Sequence, residues 1–116
     1  MHGCRGHLVA IGLTLGLCPA AATAGAELAS QRERELVRLV RQDCGACHGM
    51  TLAGGLGPPL LPAALQGRPP EALVQTILHG RPGTPMPPWQ PFLSDSEARW
   101  IVERLLLGFP TEAQAR

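Results

Sequence analysis

Two thiols and an imidazole fall within five consecutive residues, namely Cys44, Gly45, Ala46, Cys47 and His48. Cysteines three positions apart on a helix share one face, so their two thiols can reach two vinyl groups on the same side of a porphyrin. The imidazole of His48 follows directly and is thereby aimed at the metal of that porphyrin. The spacing Cys-x-x-Cys-His therefore predicts covalent attachment of a c-type haem, with His48 as an axial ligand of the iron.

Three other uses of a cysteine pair explain the motif less completely. A structural zinc site needs four ligands, and the chain offers Cys44, Cys47 and His48 with His79 as a possible fourth. A thioredoxin-like redox pair belongs beside a βαβ pattern, which this sequence lacks. A plain disulfide would leave the position of His48 without an explanation.

The iron of an electron carrier needs a sixth ligand, and Met86 is the predicted one. Met50 lies two residues after His48, too close to reach the opposite face of the haem, whereas Met86 lies 38 residues after it. Prolines flank Met86 on both sides and restrict the backbone of its loop. His79 is the alternative ligand, although its place at the end of a predicted helix also suits a surface or propionate-side residue.

One amphipathic helix leads into the cysteine pair. Leu36, Val40 and Cys44 recur every four residues, which predicts a helix over about residues 28–47. The other face of this helix carries Arg34, Arg38 and Arg41, a stripe that suits either docking to a partner or plain solvation.

The middle of the chain predicts loops rather than regular elements. Between positions 49 and 91, 17 of 43 residues are Gly or Pro. One short helix is expected there, because the proline pair at positions 69 and 70 suits a helix start and Gly80 suits a helix end. Ser94 followed by Glu97 is a capping-box signature that opens a last helix ending at Gly108. Since no alternating strand pattern occurs, the predicted fold class is all-α, with three or four helices joined by irregular loops.

The first 26 residues have the layout of a secretory signal peptide. Arg5 precedes a ten-residue apolar run, and small residues follow, so cleavage is predicted after Ala24 or Ala26. The apolar run is shorter than the roughly 20 residues that span a bilayer, which leaves an uncleaved anchor helix, or acylation at Cys18, as alternatives. The predicted organisation is a signal peptide over residues 1–26 and one exported domain over residues 27–116, with no membrane span after cleavage.

The composition argues against one class of function and supports a bound cofactor. The chain has 116 residues, a formal net charge of +1 and no lysine, and near-neutrality argues against binding to nucleic acid. Four aromatic residues are few for a core of this size, so a bound haem would supply the missing bulk. Arg68 and Arg81 either pair with the haem propionates or are solvated loop arginines. The apolar residues expected in the haem pocket are Leu52, Leu56, Leu60, Leu61, Leu65, Ile77, Leu78, Trp89 and Phe92.

Two stretches of the chain resemble a known family. They are RQDCGACHGMTLAGGLGPPLLPAAL, around the cysteine motif, and GRPGTPMPPWQPFLSDSEARWIV, around Met86. Both are similar to class I cytochromes c, and in particular to the small NirC-type (c55X) cytochromes c of denitrifying bacteria; the similarity covers roughly residues 35–105. The resemblance implies that the carbonyl of Pro58 accepts a hydrogen bond from His48. It also implies that the terminal helices cross, with Leu36 and Val40 against Trp100 and Ile101.

The same resemblance implies a function. It indicates a periplasmic electron carrier, not an enzyme, that performs outer-sphere electron transfer through one covalently bound haem c. Its redox partner would be nitrite reductase or a protein that matures the haem d of that reductase. If Met86 binds weakly, the alternative is an open-site haem protein that acts as a maturation factor or a ligand sensor. Because the chain has no lysine, the lysine-guided docking of mitochondrial relatives does not carry over.

Overall fold

The computed structural model describes residues 20–116, and every regular element in that range is helical. The all-α prediction is therefore confirmed. In chain order the elements are α1 (Ala20–Leu39), a π-helical turn (Val40–Cys44), α2 (Gly45–His48), α3 (Pro62–Leu65), α4 (Pro70–His79) and α5 (Asp95–Leu107).

Most of the predicted signal peptide falls outside the described residues. Its charged start, its apolar run and Cys18 lie within residues 1–19, and the cleavage positions after Ala24 and Ala26 lie within α1. The division of the chain into a leader and a domain stays a prediction. Among residues 20–116, no helix combines the length and the apolar character that crossing a bilayer requires.

Helix α1 runs into the cysteine motif through the π turn. The amide of Gly45 donates to the carbonyl of Val40, five residues earlier, which is the hydrogen-bond spacing of a π-helix. The sequence predicted one uninterrupted α-helix here. Apolar residues four positions apart are compatible with both an α-helical turn and a π-helical turn, so their spacing could not reveal the π turn. The widened turn keeps Val40 buried in the core while Cys44 is only partly buried.

Two apolar clusters place α5 at the centre of the fold. In the first cluster α5 packs against α1 and the loops, and Trp100 lies at its edge. In the second, α5 packs against α4. The four residues that the resemblance placed at a crossing of the terminal helices lie in or against the first cluster, and the crossing itself stays a prediction; they are Leu36, Val40, Trp100 and Ile101. The buried members of the first cluster are Leu36, Val40, Leu52, Leu65, Leu93, Ile101 and Leu105, and those of the second are Val74, Leu78, Ala98 and Val102.

Helix α5 begins at the predicted capping box. The hydroxyl of Ser94 accepts a hydrogen bond from the amide of Glu97 at 3.2 Å, and the carboxylate of Glu97 accepts one from the amide of Ser94 at 2.7 Å. Arg32 of α1 donates to the other oxygen of Glu97, and this hydrogen bond is the main cause that lowers the pKa of Glu97. One side chain therefore caps α5 and ties it to α1. Helix α4 likewise starts at Pro70 and stops before Gly80, as predicted.

The segment after α5 is held by one arginine of the predicted stripe. The guanidinium of Arg41 donates to the carbonyls of Phe109 and Pro110 and lies 5.7 Å from the centre of the Phe109 ring. Arg38 is exposed, and Arg34 donates to the hydroxyl of Ser30. The stripe is thus not a uniform solvated face, because Arg41 fastens the C-terminal segment to the π turn.

Candidate functional site

The motif side chains sit at the end of the π turn and along α2. Both cysteines are free thiols; Cys47 is exposed and Cys44 is partly buried. Burial raises the pKa of the Cys44 thiol to about 11, and the nearby negative charge of Asp43 adds to the shift. No disulfide bond joins Cys44 to Cys47, so both sulfur atoms are available for thioether bonds.

The ring of His48 is oriented by a backbone carbonyl. Its Nδ1 atom lies 2.7 Å from the carbonyl oxygen of Pro58. Since a carbonyl can only accept, Nδ1 must carry the proton and donate it, which leaves the lone pair of Nε2 free. A metal-bound imidazole has this tautomer and this kind of partner on its other nitrogen. The structure therefore brings together the two residues, His48 and Pro58, that the resemblance paired.

A tight loop carries the chain from the motif to Pro58. The amide of Gly54 donates to the carbonyl of His48 at 2.8 Å, and the amide of Gly57 donates to the carbonyl of Cys47 at 2.7 Å. Gly57 lies directly against the His48 ring, and a Cβ atom at this position would stand 2.9 Å from Cε1 and from Nδ1. Ordinary contacts between carbon atoms are about 3.5–4.0 Å, so only glycine leaves the ring in this position.

Met86 lies on a loop, residues 80–88, which starts at the end of α4 and whose far end is hydrogen-bonded back to the same helix. The last carbonyls of a helix lack partners within the helix. Here the carbonyls of Ile77 and Leu78 accept hydrogen bonds from the amides of Trp89 and Gln90, at 3.0 and 3.1 Å. These bonds hold the far end of the loop against the helix from which the loop starts. Met86 itself is partly buried.

Glycine is required where this loop leaves α4. Gly80 has a φ of +69°, and a Cβ atom on it would stand 2.7 Å from the carbonyl oxygen of Met86. The amide of Arg81 donates to that same carbonyl at 3.2 Å. The sequence indicated Gly80 only as the end of a helix, and its close approach to the Met86 backbone was not predicted.

The nine apolar residues predicted for the haem pocket differ in how far the protein buries their side chains. Three are buried by the protein itself, and Leu78 packs between α4 and α5. Three others are left largely in water, with Leu56 exposed at 94 %, Phe92 at 67 % and Leu61 at 43 %. The buried three are Leu52, Leu65 and Leu78, and Leu60, Ile77 and Trp89 are partly buried against the first core cluster.

These features fit a covalently held haem. Two free thiols stand three residues apart on one short helical segment, and an imidazole with a free Nε2 follows them. Apolar side chains without cover are available on the loops that follow the motif and precede α5. Within residues 20–116, no three His, Cys, Asp or Glu side chains group so as to hold a metal ion.

The remaining candidates lie around this site in separate places. His79 is exposed at the last position of α4. Arg81 is exposed at the base of the Met86 loop, and Arg68 is exposed in the loop before α4. The ion pairs of the described part of the chain involve neither arginine.

A groove of about 420 Å³ lies elsewhere, between α1, α5 and the C-terminal segment. Its apolar lining includes Val37, Trp100 and Leu107, and its charged lining consists of Glu33, Arg34, Arg104 and Arg116. Arg104 lies 5.3 Å from the centre of the Trp100 ring. None of the predicted site residues lines this groove, so it is separate from the candidate haem site.

Comparison with known proteins identifies similar chains. Residues 31–103 match the family described as cytochrome C oxidase, cbb3-type, subunit III. Cytochrome c55X of Pseudomonas aeruginosa is 50% identical over 100 residues, which cover 86% of this chain and 83% of that protein. A solved structure of a c-type cytochrome NirC is 56% identical, with a TM-score of 0.67, and the match covers 67% of this chain and 92% of the other. Dihydro-heme d1 dehydrogenase of Pseudomonas aeruginosa is 41% identical over 104 residues, which cover 90% of this chain but 20% of that protein.

Proposed function

Because the chain belongs to the small c-type cytochromes of the NirC (c55X) type, which carry haem c, we propose that it is a periplasmic electron carrier of nitrite respiration. Bound haem supplies a ferric and ferrous couple that exchanges one electron at a time. In this proposal Cys44 and Cys47 form the thioether bonds, and His48 and Met86 are the axial ligands. The signal-peptide layout of residues 1–26 supports the periplasmic location.

The observation that carries this proposal is the hydrogen bond between Nδ1 of His48 and the carbonyl of Pro58. It holds the proton on Nδ1, leaves the lone pair of Nε2 free on the other side of the ring, and makes the imidazole a stronger ligand for a metal. Gly57 leaves the space in which the ring can take this orientation. An imidazole that directly follows a cysteine pair and is held in this way is prepared to bind a metal on its free side.

Met86 and Arg81 complete the proposed site. A thioether ligand favours ferrous iron more than an imidazole ligand does, so ligation by Met86 would raise the reduction potential. The loop suits this role because proline flanks Met86 on both sides and both loop ends are bonded to α4. Arg81, which is exposed and whose amide donates to the carbonyl of Met86, is the proposed partner of a haem propionate.

The partner is proposed from a shared module. A region covering 20% of dihydro-heme d1 dehydrogenase is similar to nearly all of this chain. That enzyme therefore contains a segment similar to this cytochrome, and its name states that it acts on a haem d1 precursor. Dehydrogenation releases two electrons and two protons, and a one-electron carrier accepts those electrons in two successive encounters. We therefore place the chain as an electron acceptor during maturation of haem d1, with nitrite reductase as the alternative partner.

Covalent attachment is tested on protein purified from the periplasm. We expect one haem per chain by the pyridine haemochrome spectrum, and a mass that retains the haem after denaturation. Replacing both thiols, in Cys44→Ser with Cys47→Ser, should abolish the retained mass. A periplasmic wild-type protein without covalently bound haem would overturn the proposal.

The sixth ligand is tested by two matched variants. Met86→His should lower the reduction potential, because imidazole stabilises ferric iron more than a thioether does. His79→Ala is the control and should leave the potential unchanged. A changed potential in His79→Ala together with an unchanged one in Met86→His would move the ligand to His79. Ferrous wild-type protein should resist carbon monoxide, and ready uptake would instead support the open-site alternative.

The partner is tested by rapid mixing. Ferric cytochrome should be reduced by dihydro-heme d1 dehydrogenase in the presence of its substrate, and omission of either should stop the reaction. In a parallel arm, ferrous cytochrome is mixed with nitrite reductase and nitrite. Faster electron transfer in this second arm than in the first would favour the donor role over the maturation role.

A further inference from the structure

One side chain bridges the interior of the Met86 loop. The hydroxyl of Thr84 donates to the carbonyl of Arg81 at 2.7 Å and accepts a hydrogen bond from the amide of Met86 at 3.3 Å. Two backbone bonds accompany it, from the amide of Thr84 to the carbonyl of Arg81 at 3.0 Å and from the amide of Arg81 to the carbonyl of Met86 at 3.2 Å. A single hydroxyl thus joins the start of the loop to the residue that carries the thioether.

The neighbouring residues cannot replace this bridge. Apart from Thr84 and Met86, residues 80–88 comprise four prolines, two glycines and Arg81, and the guanidinium of Arg81 donates but cannot accept from the Met86 amide. Gly83 at the loop tip has a φ of +79° and open space around the position of a Cβ atom. Without the Thr84 hydroxyl, the segment between Arg81 and Met86 would keep only its two backbone bonds.

We propose that Thr84 is a positioning residue for the axial thioether, because its hydroxyl holds the Met86 backbone in the closed loop and so sets how readily another ligand displaces the sulfur. This inference rests on the proposed ligation by Met86. An external ligand binds only when the loop has opened, so its apparent affinity follows the open fraction. Loss of the hydroxyl in Thr84→Val should raise that fraction, and with it the ligand affinity, by about 3- to 10-fold, the range expected for one neutral hydrogen bond.

The test is an imidazole titration of the ferric holoprotein. Thr84→Val should bind imidazole about 3- to 10-fold more tightly than wild type and should show a weaker sulfur-to-iron charge-transfer absorption. Thr84→Ser keeps the hydroxyl and should restore wild-type affinity. Thr76→Val is a matched control, because Thr76 donates to the carbonyl of Ala72 on α4, outside the loop. If the valine side chain prevents folding, Thr84→Ala gives the same comparison.

Met86→Ala separates the two hypotheses. This variant should bind imidazole more tightly than any threonine variant, since no sulfur competes. If it binds no more tightly than wild type, the ligation by Met86 fails, and the role of Thr84 fails with it. If Met86→Ala binds tightly while Thr84→Val matches wild type, or while Thr76→Val shifts as much as Thr84→Val, only the role of Thr84 is overturned.

Discussion

The contact between Gly57 and His48 offers a direct test of the proposed site, because one added methyl group should break its central hydrogen bond. In Gly57→Ala the new Cβ atom would lie 2.9 Å from Cε1 and Nδ1 of the ring. Restoring an ordinary carbon contact of about 3.5–4.0 Å requires a movement of roughly 0.6–1.1 Å. This movement is at least as large as the margin between the present Nδ1–O distance of 2.7 Å to the Pro58 carbonyl and the usual upper limit of about 3.2 Å, so the bond should weaken or break.

The magnitude follows from the value of that bond. A neutral hydrogen bond contributes about 0.5–1.5 kcal/mol. For a one-electron couple, a tenfold change in the equilibrium constant corresponds to about 59 mV, or about 1.4 kcal/mol. Since the bond strengthens electron donation from the imidazole to iron and so favours ferric iron, its loss should raise the reduction potential by about 20–60 mV.

The assay is a spectroelectrochemical titration of fully haem-loaded protein, with Gly67→Ala as the control. Gly67 has a φ of +77° and nothing within 4 Å of the position of a Cβ atom, so this substitution strains the backbone without touching the site. Its potential should equal that of wild type. The reasoning is refuted if Gly57→Ala has an unchanged or lower potential, or if Gly67→Ala shifts the potential equally.

Three further predictions concern stability and are measured by denaturant unfolding of the holoprotein. Ser94→Ala removes the N-cap of α5 and should lower the free energy of unfolding by about 1 kcal/mol, while Ser94→Asp, which keeps an acceptor, should retain most of it. Glu97→Gln should cost roughly 0.5–1 kcal/mol at pH 7. Because Arg32 lowers the pKa of Glu97 in the folded protein, the ionised carboxylate stabilises the fold above the ordinary pKa of glutamate, and this stabilisation should vanish as the pH falls through the lowered pKa. An equal difference in unfolding free energy between wild type and Glu97→Gln at acidic and neutral pH would contradict this. Ile101→Ala, in the core between α1 and α5, should cost about 2–5 kcal/mol, whereas Leu107→Ala on an exposed position should change the value by less than about 0.5 kcal/mol; equal losses would argue against the described packing.

Much of the site could be predicted from sequence because its chemistry is local. Cys44, Cys47 and His48 fall within five residues, so their spacing alone indicates a covalently held haem. Helix ends are equally local, since a cap acts within about one turn. The capping box of Ser94 and Glu97 was therefore predicted from two residues and is present in the structure.

Contacts between distant residues depended on the packed fold. The periodicity of α1 could not reveal its π turn, because apolar residues four apart suit both kinds of turn. No local pattern distinguished Arg41, which holds the C-terminal segment, from the two other arginines of its stripe. Nor did hydropathy show that Leu78 would be buried by α5 while Leu56 remains exposed, because both are simply apolar.

The sequence by itself thus determined the kind of chemistry, the all-α class and the ends of α4 and α5, since each depends on residues only a few positions apart. Tertiary structure alone decided how closely Gly57 approaches His48, how Gly80 meets the Met86 backbone, and which carbonyl holds the imidazole. These distances depend on how the loops pack against α2 and α4. That placement results from the packing and hydrogen bonding of the whole chain, and no short stretch of residues specifies it.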